Sequence, residues 1–251
     1  METRIDQIAG GIYRISTMTE TYGITFNQFL IDDDQPTLVH TGDHFMYENI
    51  RAAIREVLDP ATLANLVLLH WEGDENGGMG RFMRDAPGAE LVGSALSIQL
   101  NAASFGVDTE RVRSFMDGER LELGQHTLRF LETPHVHHWD SMMVYEESTR
   151  SVFPSDLYLQ PGDQPPVTDE NLSAAMLEVY RGIGIFAHEN PVRTAVDRIE
   201  ALDPAWIHAM HGASLKGDVL HHYNRALREE EFAYNGLLLG RDINAVAAET
   251  A

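Results

Sequence analysis

The positions of the apolar residues predict a chain that opens with strands and then alternates strands with helices. Residues 11–16, 25–32 and 36–40 are rich in β-branched and aromatic side chains, which favour strands. From residue 47 to residue 58 apolar residues recur at helical spacing, which predicts a helix that ends before the next proline. The short apolar run 63–69 has the length and composition of a buried strand.

The rest of the chain repeats these element types. Further strands are predicted at residues 90–92, 125–132, 142–146, 151–153 and 206–209, and further helices at residues 80–85, 170–185, 191–202 and 218–234. This order predicts two β-sheets packed together with helices outside them, an αββα sandwich of the α/β class. We expect a single domain over residues 1–251, with no strong repeat at a solenoid period and no low-complexity tail.

Composition narrows the chemistry that the chain can carry. It contains no Cys, so disulfides, thiolate zinc sites and Cys-ligated iron–sulfur clusters are excluded, and a bound metal takes His and oxygen ligands. The formal net charge of -21 opposes binding to nucleic acid and to anionic membranes. No apolar run approaches the ~20 residues that span a bilayer, and the first residues do not read as a signal peptide. We therefore expect a cytoplasmic protein.

Four possible metal ligands crowd into six residues directly after the apolar run 63–69. They are His70, Glu72, Asp74 and Glu75. The end of a buried strand aims such side chains into an open loop region, which is where functional residues concentrate. The alternative is an exposed acidic loop with one incidental His, because motifs of this length also occur without a metal.

A second segment, residues 133–142, carries His135, His137 and His138. Successive side chains of an extended chain alternate between two faces, so His135 and His137 would share one face and His138 would occupy the other. At most one or two of them are then ligands. The alternative is a polar surface loop.

Two single residues also follow apolar strands. Asp156 comes shortly after residues 151–153, and His211 comes shortly after residues 206–209. Each signal alone is weak, because an Asp after a strand is commonly a helix cap or a turn residue.

Together these pieces resemble the metallo-β-lactamase superfamily, whose motif reads His-x-His-x-Asp-His and is followed by a distant His, Asp and His. Glu in place of the second His is typical of one branch, the flavodiiron proteins. That branch also carries a His-Trp-Pro-Asp-Ser-Met segment, a strand that ends in Asp, and a late Ser/Gly-His-Gly. The resemblance covers roughly residues 7–240. The matching segments are His70-Trp-Glu72-Gly-Asp74-Glu75-Asn-Gly77, His138-Trp139-Asp140-Ser141-Met142, Phe153-Pro-Ser-Asp156 and Met210-His211-Gly212.

The resemblance implies a site for two iron ions. His70, Glu72 and His138 would hold one iron. Asp74 and His211 would hold the other, and Asp156 would bridge the two irons. The Trp that follows His138 sets this register, and it leaves His135 and His137 outside the ligand set.

Two departures from the family pattern stand out. Glu75 occupies the place of a His ligand, and the Pro expected after Trp139 is missing. We expect Glu75 to bind the second metal or to lie within one water of it, and the alternative is that its side chain points to solvent. The His and carboxylate set suits iron or manganese, and zinc remains compatible with it.

By this resemblance the chain is a diiron module that binds or reduces O2 or NO. Flavodiiron proteins carry a flavodoxin domain whose FMN delivers electrons, and we expect no FMN in this chain. Turnover would then need a flavodoxin- or rubredoxin-type electron donor, whereas without a donor the site would act as an oxygen sensor with a signalling partner. Two alternatives stay open: a hydrolase whose metals activate water against an ester or lactone, and a vestigial site with a structural role. The oligomeric state also stays open, a homodimer included.

Overall fold

Two seven-stranded sheets pack face to face in the computed structural model, which describes residues 2–242. The first sheet contains the strands in chain order, antiparallel from β1 to β4 and parallel from β4 to β7. Its strands are β1 (Thr3–Ala9), β2 (Ile12–Thr19), β3 (Ile24–Ile31), β4 (Thr37–Val39), β5 (Asn65–Val67), β6 (Glu90–Ser94) and β7 (Val112–Phe115).

The second sheet has the order β12-β14-β13-β11-β10-β9-β8. Its strands are β8 (Arg120–Glu122), β9 (Thr127–Glu132), β10 (Met142–Glu146), β11 (Ser151–Phe153), β12 (Val167–Thr168), β13 (Trp206–His208) and β14 (Ser214–Lys216). A separate two-stranded hairpin, β15 (Leu237–Leu238) and β16 (Arg241–Asp242), ends the described part of the chain.

Helices cover the outer face of each sheet. The covering helices are α1 (Tyr47–Ile54), α3 (Met79–Asp85), α4 (Ala95–Asn101), α5 (Ser173–Ile183), α6 (Glu189–Leu202) and α7 (Val219–Glu229), and a single turn, α2 (Gly73–Asn76), lies at the end of β5. In the part of the chain that the structure describes, no helix combines the length and the apolar character that crossing a membrane requires.

Three buried apolar layers account for this arrangement. Between the sheets, Phe29 of β3 meets Phe153 of β11 with ring centroids 5.2 Å apart. Outside the first sheet, residues of α1, α3 and α4 such as Phe82 pack on its strands. Outside the second sheet, α5, α6 and α7 bury residues such as Tyr180 and Val196. Each sheet therefore buries both faces, and the predicted αββα sandwich is confirmed.

The two sheets are joined by backbone hydrogen bonds at one end, where several strands stop. Met142 N donates to Leu69 O at 2.8 Å, and Asn27 N donates to Met210 O at 2.8 Å. The loops that follow β5, β9, β11 and β13 meet at this end. Residues that are far apart in sequence are therefore held side by side by a rigid scaffold, which is the usual setting of a functional site.

Candidate metal centre

The turn after β5 carries the first group of candidate ligands. Glu72 precedes α2, a single helical turn that contains Asp74 and Glu75. This turn can lie against the preceding loop because Gly77 has no side chain: a Cβ there would come within 2.5 Å of His44 N and 2.6 Å of Gly73 O. On this turn the side chain of Glu75 is buried and that of Asp74 is partly buried.

Three carboxylates converge on the ring of His70. Its Nε2 atom lies 3.0 Å from Glu72 Oε2, 3.1 Å from Glu75 Oε2 and 3.3 Å from Asp156 Oδ2. His137 completes this group, with its Nε2 atom 2.8 Å from Asp156 Oδ2 and 3.2 Å from Glu72 Oε2. One donor atom from each of His70, Glu72, His137 and Asp156 lies within 4.8 Å of the others, as the ligands of a single cation do.

A second group forms around His211. Its Nε2 atom lies 3.1 Å from Asp156 Oδ1 and 3.6 Å from Asp74 Oδ2. Asp156 therefore turns one carboxylate oxygen toward His70 and His137, and its other oxygen toward His211. This is the geometry of a carboxylate that bridges two neighbouring cations.

In His211 and His70, partners outside the cluster engage the Nδ1 atom of the ring. His211 Nδ1 lies 2.9 Å from Thr25 O, and a carbonyl oxygen only accepts, so Nδ1 carries the proton. His70 Nδ1 lies 2.9 Å from Ser155 Oγ, and the Ser155 hydroxyl also donates to Glu75 Oε1 at 3.2 Å. In both rings Nδ1 is therefore engaged by an outer partner and Nε2 is turned toward the carboxylates, as in metal-binding histidines that an outer partner orients.

The carboxylates of the cluster lie so close together that a cation would stabilise their charges. Hydrogen bonds from His137 and His70 lower the pKa of Glu72 to about 2. Burial, and then the carboxylates of Asp74 and Asp156, raise the pKa of Glu75 well above its usual value. Burial also raises the pKa of Asp74 to about 6. Glu75 Oε2 is buried and accepts no hydrogen bond. Four carboxylates gathered around imidazole nitrogens in a largely buried space fit metal ions, and the nitrogen and oxygen donors fit iron, manganese or zinc.

Of the expected ligands, the structure brings together His70, Glu72, Asp74, Glu75, Asp156 and His211, and it places His137 where His138 was expected. His138 Nδ1 instead lies 3.1 Å from Asp140 Oδ1. The family register pointed to His138, but the segment folds back on itself: His135 has φ +65° and its N–H donates to His138 O. The turn sends His137 toward Asp156.

Several residues that support the cluster were missed by the sequence analysis. Ser155 orients His70, and it occupies a left-handed conformation at φ 55° that sets the direction of Asp156. His40 is buried beside the cluster with φ 61° and an Nδ1 atom that has no hydrogen-bond partner. Burial, and then the charge of His70, lower its pKa to about 3, so its ring is neutral. His40 is the last residue of the predicted strand 36–40, and a His at a strand end was the available signal.

A pocket of about 350 Å³ opens over the cluster. Its floor includes Glu72, Asp74, His137, Asp156 and His211, and its walls are mainly apolar. The apolar wall residues are Tyr22, Ile24, Phe26, Leu159, Ile183, Ile185 and Leu239. Small, uncharged molecules suit such walls better than large or anionic ones do.

Similar proteins share this fold. The rubredoxin oxygen:oxidoreductase from Desulfovibrio gigas superposes with a TM-score of 0.82 at 22% identity, covering 90% of this chain and 61% of that one. The apo state of the chemotaxis sensor ODP from T. denticola gives a TM-score of 0.76 at 18% identity, covering 92% of this chain and 96% of that one.

Curated sequences agree with the structural comparison. A nitric oxide reductase from Moorella thermoacetica is 26% identical over 188 residues, which are 73% of this chain and 47% of that protein. The chain spans roughly a third to a half of the length of the curated relatives it matches. The resemblance to the flavodiiron branch of the metallo-β-lactamase superfamily is thereby confirmed.

A family model settles the assignment at a finer level. It is described as ODP family beta lactamase, and it matches residues 24–212, which include every residue of the cluster. The chain belongs to the ODP family of beta-lactamase-like proteins.

Proposed function

We propose that this chain is a non-haem diiron protein that binds O2 or NO. The position of Asp156 carries the proposal, because its two oxygens face two separate sets of donors. His70, Glu72 and His137 would hold one iron with Asp156. Asp74 and His211 would hold the other. Bound reduced irons supply the electrons and the open coordination positions that O2 or NO needs.

Glu75 has the place of a further oxygen ligand in this proposal. Its carboxylate is fully buried, one oxygen accepts a hydrogen bond from Ser155, and the other has no hydrogen-bond donor. An anion without a donor in a buried site is stabilised best by a metal or by a metal-bound water. With Glu72, Asp74 and Asp156 it makes four carboxylates, whose charges balance two divalent cations.

The protein residues around the irons have separate tasks. Ser155 and the carbonyl of Thr25 hold the rings of His70 and His211 so that each Nε2 atom faces inward. The apolar walls limit water and admit small neutral ligands. The carboxylates of the floor and the net charge of -21 disfavour anionic substrates.

The comparisons support a sensor role more than a reductase role. The family model that matches residues 24–212 is described as ODP family beta lactamase, and the chemotaxis sensor ODP from T. denticola shares the fold. In the proposed role the irons bind the ligand without continuous turnover, and a signalling partner reads the bound state. Turnover as a reductase would require a rubredoxin- or flavodoxin-type donor.

Anaerobic protein loaded with ferrous iron tests the proposal. We expect two irons per chain and new near-ultraviolet and visible absorption when O2 or NO is added, at about one ligand per iron pair. A sensor consumes no further O2 when reduced rubredoxin is supplied, whereas a reductase consumes O2 continuously. A colourless zinc protein that hydrolyses esters and does not respond to O2 would contradict the proposal in favour of the hydrolase alternative.

A further inference from the structure

We propose that Arg14 and Asn27, on the inner face of the first sheet, are positioning residues for His211 and thereby for the second metal. The inference rests on the proposed two-metal site. His211 follows β13 of the second sheet, so its ring is carried by one sheet and held in place by the other. The hydrogen bonds of the Arg14 and Asn27 side chains go to backbone carbonyls and not to the carboxylates of the cluster.

Asn27 fixes the backbone on both sides of His211. Its Nδ2 atom donates to Ala209 O at 2.9 Å and to Gly212 O at 2.7 Å, and its backbone N–H donates to Met210 O at 2.8 Å. All three acceptors lie within two residues of His211. The side chain is buried, so water does not compete for these hydrogen bonds.

Arg14 holds the same turn from the neighbouring strand. Its Nη2 atom donates to Gly212 O at 2.8 Å, and the whole residue is inaccessible to solvent. Burial, and then the charge of Arg4, lower its pKa to about 10, so the guanidinium stays charged at neutral pH. Gly212 O thus accepts from two side chains, Arg14 and Asn27, and one of them is a cation.

Stability alone is a poor reason for an arginine at this position. Its Nε and Nη1 atoms are buried without hydrogen-bond partners, and no carboxylate lies within ion-pair distance of it in the described residues. A buried cation with unused donors is costly, and an apolar side chain of similar volume would cost less. The guanidinium provides a donor 2.8 Å from Gly212 O, next to the residue whose ring would bind the second metal, and a longer one, at 3.4 Å, to Gln164 O.

The consequence concerns the relative affinity of the two metal positions. The ring of His211 reaches Asp156 Oδ1 and Asp74 Oδ2, so a shift of its backbone changes the second donor set. The set around His70 and His137 does not include His211. Loss of a residue that supports a metal ligand from outside typically lowers the metal affinity by about 10–100-fold. We therefore expect the affinity for the second metal to fall and the affinity for the first to stay nearly unchanged.

The test compares two variants with matched controls. Arg14→Met and Asn27→Leu remove the donors to the turn. Arg111→Met removes an arginine that donates to the carbonyls of Met83, Ala86 and Ala89, and Asn65→Leu removes a buried amide that donates to Thr37 Oγ1. Both controls lose comparable hydrogen bonds away from His211, so they report the general cost to folding.

Anaerobic titration with Fe²⁺ against a competing chelator measures both affinities, and thermal unfolding of the metal-free proteins measures stability. We expect Arg14→Met and Asn27→Leu to bind the second Fe²⁺ about 10–100-fold more weakly and the first within about twofold of the unchanged protein. Arg111→Met and Asn65→Leu should keep both affinities even where their melting temperature falls. Arg14→Lys, which keeps a cationic donor, should recover part of the second affinity.

Equal loss of both metals, or retention of both, in Arg14→Met and Asn27→Leu would overturn the inference. If Arg14→Met does not fold, Asn27→Leu and Arg14→Lys decide the question by the same two affinities. If the unchanged protein itself binds fewer than two metals, the proposed function fails and this inference fails with it.

Discussion

His137 Nε2 lies 2.8 Å from Asp156 Oδ2, and this contact brings His137, of the segment 133–142, into the candidate metal cluster. Burial lowers the pKa of the His137 ring, but hydrogen bonds to Asp156 and Glu72 outweigh it and raise the pKa to about 10. At neutral pH the His137 ring is therefore protonated and pairs with both carboxylates.

His137→Ala and His138→Ala should separate the two roles. We expect His137→Ala to lose most of the metal at the first position, because one nitrogen ligand is removed, whereas His138→Ala keeps two metals per chain. His138 is partly exposed and pairs with Asp140, so its loss should cost little beyond that contact. Metal content per chain after anaerobic loading checks both. A His138→Ala protein that lacks a metal, beside a His137→Ala protein with two, would restore the register expected from the sequence.

Glu75→Gln should lower the affinity for the second metal by at least about 10-fold, because a buried carboxylate in the cluster becomes a neutral amide. The first metal should be largely unaffected. Glu56→Gln, at an exposed position after α1, serves as the control for loss of one negative charge. Metal titration measures the effect. Two full metals in Glu75→Gln, with unchanged reactivity toward O2, would show that Glu75 is not a ligand.

Gly212→Ala should disturb both folding and the second metal. Gly212 has φ 117°, and a Cβ there would come within 2.8 Å of the Gln160 side chain. Gly217→Ala is the matched control, since Gly217 has φ 69° but no atom within 4 Å of the added Cβ. Backbone strain costs on the order of 1–3 kcal/mol in each variant, and the clash adds to it only in Gly212→Ala. Denaturant unfolding should show the larger loss of stability in Gly212→Ala, and metal titration should show the lower affinity for the second metal in the same variant. Equal stability and equal metal affinity in the two variants would contradict this expectation.

The ion pair between His126 and Asp33 predicts a pH dependence of stability away from the metal site. His126 Nδ1 lies 2.8 Å from Asp33 Oδ2, and its Nε2 lies 2.9 Å from Gly10 O, so both ring nitrogens face acceptors. Burial would lower the pKa of His126, but these acceptors raise it above 6.5. Burial would raise the pKa of Asp33, but backbone N–H groups, first that of Gln125, lower it from 3.8 to about 2.

The sign of each shift defines the range of pH in which the pair stabilises the protein. The contribution of His126 is complete below pH 6.5 and is lost as the pH rises through its raised pKa. The contribution of Asp33 is complete above pH 3.8 and is lost as the pH falls toward 2. His126→Gln should therefore lower the melting temperature most between about pH 4 and pH 6.5, and less above that range. His221→Gln, at an exposed position of α7, is the control. A deficit in His126→Gln that grows with rising pH would refute the assignment.

Much of the fold was readable because apolar periodicity and burial coincide. The run 63–69 contains β5, and the predicted helix 191–202 lies within α6 (Glu189–Leu202), whose buried side recurs at helical spacing. The helix α4 was missed for the opposite reason. Its Leu96 and Leu100 are 46% and 54% exposed, so its apolar residues do not mark a buried face. The strand β1 was missed as well, because most of its residues are only partly buried.

The candidate site was predictable wherever a ligand directly follows a strand. His70, Asp156 and His211 are of this kind, and the structure places each of them in the cluster. The family register pointed to His138 because the Trp of the motif was matched to Trp139 at the expense of one deletion, whereas the structure places His137 beside Asp156 and Glu72. A match without a deletion places His137 at the motif His and Trp139 at the motif Pro. Local spacing could not decide between the two, since a turn at His135 sets the direction of the side chains.

Supporting residues such as Arg14 and Ser155 left no pattern in the sequence that pointed to the site. Arg14 acts across the two sheets, 198 residues from Gly212. Ser155 acts through a left-handed backbone conformation that serine rarely adopts. Both roles depend on tertiary contacts, which neither residue type nor spacing encodes.

The Mössbauer spectrum of ⁵⁷Fe-loaded protein, recorded before and after exposure to O2, tests the central claim most directly. Two irons that share Asp156 should give two ferrous sites per chain in the reduced protein. After exposure they should form a magnetically coupled ferric pair without the signal of isolated ferric ions in electron paramagnetic resonance. One iron per chain, or isolated ferric ions that show no coupling after exposure, would contradict the claim that this cluster holds a dinuclear iron centre.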